Sequence, residues 1–108
     1  MATYQNLYID QGSDFSSTTT LTQSSLTGYS ARGQIRKTYA SSTVTATFVA
    51  SLDTSTKIIT FSLPAATTAT LSSGRYVYDI EIFNTDSPEK VTRVLEGQAE
   101  VTPGVTRT

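Results

Sequence analysis

Apolar and polar residues alternate with a period of two along much of this chain. The closing half shows it best: Tyr76, Tyr78, Ile80 and Ile82 fall on one face of an extended segment, and Val77, Asp79, Glu81 and Phe83 on the other. A polar turn over 84–89 and two further alternating runs, 90–96 and 98–102, complete a hairpin that continues into a third strand. Earlier in the chain, strands are predicted over 4–10, 15–21, 31–36, 44–50 and 59–63. Turn chemistry stands at Gln11-Gly12-Ser13-Asp14 and Asp53-Thr54-Ser55-Thr56. The 15–21 run is polar on both faces at its centre, so packing sets its register weakly. Residues 23–28 read as a loop with Leu26 and Tyr29 as anchors, and 39–43 as a polar connection.

Between 64 and 73 the alternation breaks. Pro64 at a first helical position, followed by Ala65-Ala66 and closed by Gly74, predicts a helical turn or two, and the threonines argue against more. Pro103-Gly104 ends the last strand and leaves 103–108 as an extended tail. Short strands at this spacing predict an all-β fold, an antiparallel Ig-like β-sandwich of about seven to eight strands. No Cys-Trp-Cys core is present, so the likeness is one of architecture. The inward faces predict a core containing Phe48, Phe61, Tyr76, Tyr78, Ile80 and Leu95.

Composition narrows the chemistry. With 108 residues the chain forms a single domain, 1–108, large enough for one core. The abundance of Thr and Ser favours strands over helices. Cysteine and histidine are both absent, which removes disulfides, the usual zinc ligands, and Ser-His-Asp or Cys-His catalysis. A net charge of -1 argues against a nucleic-acid partner, and no apolar run approaches the roughly 20 residues of a membrane helix. The opening residues carry no signal-peptide pattern, so no secretory leader is expected.

Asp79 and Glu81 are two apart on one strand and share a face. Such a pair could serve glycoside hydrolysis. An outward face with charges paired to Arg93, Arg32 or Arg36 explains it better. Asp10, Asp14, Asp53 and Asp86 are scattered turn residues, unlike the converging oxygens of a calcium loop. Arg32, Arg36 and Lys37 form the one basic concentration, which suits a protein-contact stripe. Tyr4, Tyr8 and Tyr39 are expected to be exposed; they could stack on sugars but better suit protein interfaces. The candidate interface residues are thus Tyr4, Leu7, Tyr8, Arg32, Arg36 and Tyr39, with Val105 and Arg107 in the tail. No catalytic residue, metal ligand or cofactor is expected.

Several blocks carry a resemblance. They are Tyr4-Gln5-Asn6-Leu7 with Ile9-Asp10-Gln11-Gly12-Ser13-Asp14-Phe15, then 26–36 (Leu26-Thr27-Gly28-Tyr29 through Gln34-Ile35-Arg36), then 63–69, then the closing half with Val91-Thr92-Arg93-Val94-Leu95-Glu96-Gly97. Together they resemble small β-sandwich structural proteins of tailed bacteriophage virions, T4-like phages of marine bacteria in particular. They are also similar to the N-terminal domain of phage baseplate upper proteins. The resemblance implies a non-enzymatic virion component made in the host cytoplasm, present in many copies or as a homo-oligomer, with other virion proteins of the capsid or of the tail and baseplate as partners. A capsid decoration or cement protein is the first expectation. A tail, neck or baseplate accessory protein is the second, and a carbohydrate-binding module for host adsorption is an alternative of another class. Unlike the baseplate proteins, the chain shows no helical linker or receptor-binding head, which favours the free-standing component.

Overall fold

Among the described residues the alternating runs become nine strands and one helical turn. The computed structural model describes residues 3–22, 28–84 and 90–104, with only the backbone of Lys90. The strands are β1 (Thr3–Tyr4), β2 (Leu7–Asp10), β3 (Phe15–Thr20), β4 (Ser30–Arg36), β5 (Ala46–Thr47), β6 (Val49–Asp53), β7 (Ile58–Leu63), β8 (Gly74–Asn84) and β9 (Lys90–Thr102), with helix α1 (Ala65–Thr68) between β7 and β8. They form two sheets. The larger runs β1-β9-β8-β4-β5, with β2 also on β9; the smaller runs β3-β7-β6. The expected all-β sandwich is therefore the fold, with α1 lying where the chain passes from the smaller sheet to the larger.

Three strand boundaries depart from the expectations. The 4–10 run divides at Gln5-Asn6, yet β1 and β2 keep one register on β9, Thr3 opposite Leu95 and Leu7 opposite Ala99. This pairing is parallel, whereas the other strand pairs among the described residues are antiparallel. The 44–50 run divides at Phe48, since β5 pairs with β4 in the larger sheet and β6 with β7 in the smaller. The two runs at 90–96 and 98–102 are one strand, β9. Gly97 is no turn; it sits mid-strand opposite Tyr78. Pro64 precedes α1 in extended geometry, as its N-cap rather than its first helical residue.

The core fills from both sheets. Phe48, at the crossing, meets Phe61 edge-on at 5.3 Å, Tyr78 edge-on at 6.0 Å and Phe15 at 6.3 Å. All six residues expected in the core are buried, and Phe61, Ile80 and Leu95 have no exposed surface. Gly33 makes room for this packing: a Cβ there would stand 2.8 Å from the Asp79 carbonyl and 3.1 Å from the Phe48 ring. Tyr29 packs against the cluster, while Leu26 lies outside the described residues.

Leu7 corrects an expectation. It is 3% exposed and belongs to the core with Ile9, so the first segment is not a free contact arm. The reason is register: Leu7 and Ile9 share the inward face with their partners Ala99 and Val101. The stretch after β2 is also secured. The Gln11 amide donates to the Leu71 carbonyl (2.7 Å), the Thr68 hydroxyl donates to the Ser13 carbonyl (2.8 Å) and accepts from Gly12 N–H, and the Asp14 carboxylate accepts the Ala65 N–H (2.7 Å). Thr68 is fully buried, so these bonds satisfy a hydroxyl that would otherwise be costly. The ladder ends at Thr102 as expected, and Gly104 N–H donates to the Gln11 side-chain oxygen. Of the expected tail, residues 105–108, with Val105 and Arg107, lie outside the described residues.

Phe61 joins the aromatic cluster with no exposed surface, so Phe61→Ala should cost about 3–5 kcal/mol. Urea denaturation should show it as a lowered midpoint with an unchanged slope.

Candidate functional site

The outer face of the larger sheet gathers most of the polar chemistry singled out in the sequence. Alternation along β4 turns Gly33 and Ile35 inward and Arg32 and Gln34 outward, with Arg36 half-buried at the strand's end. On β8, buried Tyr76, Tyr78, Ile80 and Ile82 alternate with half-exposed Val77, Asp79, Glu81 and Phe83. Antiparallel pairing sets Arg32 opposite Glu81 and Gln34 opposite Asp79. A register shift between β8 and β9 at Ile80/Glu81 then pairs Leu95 with Ile80 but Arg93 with Glu81. Without that bulge, Arg93 would share the inward face of Leu95; with it, the guanidinium reaches the outer surface.

These residues line a groove of about 460 Å³ across β4, β8 and β9, with Tyr39 from the following turn at its rim. Inside it the charges are paired, as the sequence reading favoured. Arg32 meets Glu81 at 2.5 Å, and Arg93 meets Asp79 at 3.3 Å and Glu96 at 3.5 Å. Arg32 also lies over the Phe83 ring, 4.2 Å from its centroid. All these pairs are partly exposed, so each adds about 0–1 kcal/mol of stability. Arg36 is held differently: its guanidinium donates to the Ser41 carbonyl (2.8 Å) and the Gln34 side-chain oxygen (3.0 Å), and among the described residues no carboxylate forms an ion pair with it.

The tyrosines divide as expected. Tyr4, Tyr8 and Tyr39 are 61%, 69% and 70% exposed. Tyr4 lies opposite Glu96 and Tyr8 opposite Glu100, and paired residues project from one face, so both belong to the groove's side of the sheet. Beside Tyr8 is a smaller cavity of about 140 Å³ with Arg75 and Glu100, an ion pair at 3.4 Å that sequence reasoning did not single out. Its signal is visible only once the register opposes Arg75 to Glu100. Tyr76 and Tyr78 are buried, and their hydroxyls donate to the Ser72 and Gln5 carbonyls at 2.7 and 2.6 Å. Burial pushes the Tyr78 phenol well above its ordinary range, and nearby Tyr4 adds to the shift.

Of the aspartates expected in turns, Asp53 bonds within its own turn, accepting from the Ser55 and Thr56 N–H groups. Asp10 instead ends β2 and bonds across the ladder to β9, accepting from the Thr102 hydroxyl, and Asp14 bonds to the start of α1. Asp86 lies outside the described residues. Among the described residues no group of three or more acidic side chains converges on a metal position, and no helix is long and apolar enough to cross a membrane. No protein-family model matches this chain, and no curated protein matches its sequence.

Asp79 gives the site a pH signature. Half-burial raises its carboxyl above the ordinary range; Arg93 lowers it, Glu81 and Glu96 raise it, and Arg36 lowers it. Folding thus raises this pKa on balance. The associated stabilisation is full below the unfolded-chain value and is lost as pH rises through the folded one. Asp79→Asn removes the ionisation, so its urea midpoint relative to wild type should rise between about pH 3 and about pH 7. A relative midpoint that falls over that interval would mean the Arg93 pair outweighs burial.

Proposed function

We propose that this chain is a non-enzymatic structural component of a tailed-phage virion, a capsid decoration protein that binds the assembled particle in many copies. Two lines of support meet. The quoted sequence blocks resemble small virion β-domains, and three of them (4–15, 26–36 and the closing half) supply β1, β2, β4, β8 and β9 of the larger sheet. The observation that carries the reading is the composition of that sheet's outer face. Tyr4, Tyr8, Arg32, Arg36, Arg75 and Arg93 arrive from five strands, β1, β2, β4, β8 and β9, and Tyr39 stands at the rim. Tyrosine and arginine dominate protein-interface energetics, because each combines a broad apolar surface with directional polar groups. Arg36, bonded among the described residues to the neutral oxygens of Ser41 and Gln34, can receive a partner's carboxylate in bidentate geometry.

The contact surface in this reading is a sheet face and not an N-terminal arm, since Leu7 and Ile9 are core residues. The double variant Arg36→Ala/Tyr39→Ala should therefore lower the copy number on purified virions by tenfold or more, about 1.4 kcal/mol or above in binding. The melting temperature of the isolated domain should barely move. Quantitative mass spectrometry of virions gives the count. Wild-type loading of this variant and of Tyr8→Ser would reject the face. Hundreds of copies support the capsid assignment; a handful in symmetric rings moves the protein to tail, neck or baseplate. Retained glycan-array binding with no virion loading would favour the carbohydrate-binding alternative.

A further inference from the structure

The smaller sheet ends in strand β3. We propose that this chain forms a two-fold dimer by antiparallel pairing of β3 with β3 of another copy, centred on Thr18, which joins two three-stranded sheets into one continuous sheet. β3 is the end strand of the order β3-β7-β6. Its backbone bonding follows from register. Leu21 N–H donates to the Lys57 carbonyl at 2.7 Å, one step beyond the Thr20–Ile58 pair. Hydrogen-bonded and non-bonded pairs alternate along an antiparallel ladder. Residues 15, 17, 19 and 21 therefore direct their N–H and C=O groups to β7, and Ser16, Thr18 and Thr20 direct theirs outward. No backbone partner for those three lies among the described residues.

Residues 15–22 carry nothing that repels another strand. Charged residues, proline, glycine and bulges guard exposed edges in many proteins, and 15–22 contains none of them. The sequence is also self-complementary about Thr18. With Thr18 opposite its own copy, Ser16 meets Thr20, Ser17 meets Thr19, and Phe15 meets Leu21. Hydroxyl residues thus pair with hydroxyl residues, and the apolar pair closes each end. Ser16, Thr18 and Thr20 are the positions whose free backbone groups would bond, so side-chain and backbone registers agree. The opposite edge suits a partner less. By the same alternation β6 turns only Ala50 and Leu52 outward, and it is bounded by the Phe48 crossing and the Asp53 carboxylate. An isologous β3 contact is closed and stops at two copies, whereas β3 on β6 would build an open fibre. The dimer leaves the tyrosine- and arginine-bearing face of each larger sheet free, so it does not rest on the function proposed above.

Sedimentation equilibrium of the full chain up to millimolar concentration tests this. The expected result is a doubled mass for wild type and a monomer mass for Thr18→Pro. Proline at 18 removes an outward N–H and no bond to β7. A cysteine pair fixes the register even if that variant fails to fold, because the chain has no cysteine of its own. Thr18→Cys places two thiols opposite each other at about 5.5 Å between Cα atoms, within disulfide reach. Thr20→Cys separates them by roughly 13 Å. Oxidation should give a covalent dimer for Thr18→Cys and none for Thr20→Cys. A wild type that remains monomeric, a Thr18→Pro variant that remains dimeric, or equal cross-linking of the two cysteine variants overturns the proposal.

Discussion

The larger sheet depends on one close approach. Gly97 lies between Gln5 on one side and Tyr78 on the other, and a Cβ at this position would collide with the Gln5 carbonyl. The missing side chain lets the Tyr78 hydroxyl pass over the strand and donate to that carbonyl at 2.6 Å, while Gln5 N–H donates to the Glu96 carbonyl at 2.8 Å. The opening segment thereby stays in one register from Thr3 to Asp10 despite the gap between β1 and β2. Leu7 and Ile9 reach the core as a consequence. The first and last stretches of the described chain become neighbours, and Tyr8 is delivered to the same outer face as Arg75.

A second constraint joins the sheets. Phe48 is the residue at which the chain leaves β5 and enters β6, and its ring contacts aromatic residues of both layers. Its N–H still bonds the Gly33 carbonyl of the larger sheet at 2.9 Å. A large apolar side chain at a sheet crossing is stable only when both layers cover it, and here they do. Crossing and core packing are therefore one feature.

The two outer faces have diverged in chemistry. The smaller sheet shows Ser16, Thr18, Thr20, Ser51 and Thr60, short hydroxyl side chains, with exposed Val49 beside them. The larger sheet shows long cations, carboxylates and tyrosines, whose reach and directionality suit contact with another molecule. Many of its charges are already paired across strands. A partner would compete for those ion pairs rather than meet bare charge, and this favours specificity over raw affinity.

Most strands were legible because alternation is local: Phe48, Phe61, Tyr76, Tyr78, Ile80 and Leu95 each announce an inward face through their neighbours in sequence. The turn at 53–56 and the helical turn after Pro64 were legible for the same reason, since Asp, Pro and Gly impose backbone geometry within a few residues. Pairing between distant strands is not local, and there the tertiary structure decided. No neighbour of Leu7 reveals that β9 will accept the first segment in parallel; only the space at Gly97 permits it. The run 90–102 read as two strands that part at Gly97, and it is one strand because that glycine admits Gln5. The Val94 bulge moved Arg93 from an inward to an outward register, and opposed register brought Arg75 to Glu100. Side chains announce which way a strand faces. Which strand lies beside it follows from how two distant surfaces fit, and that is settled only when the core closes.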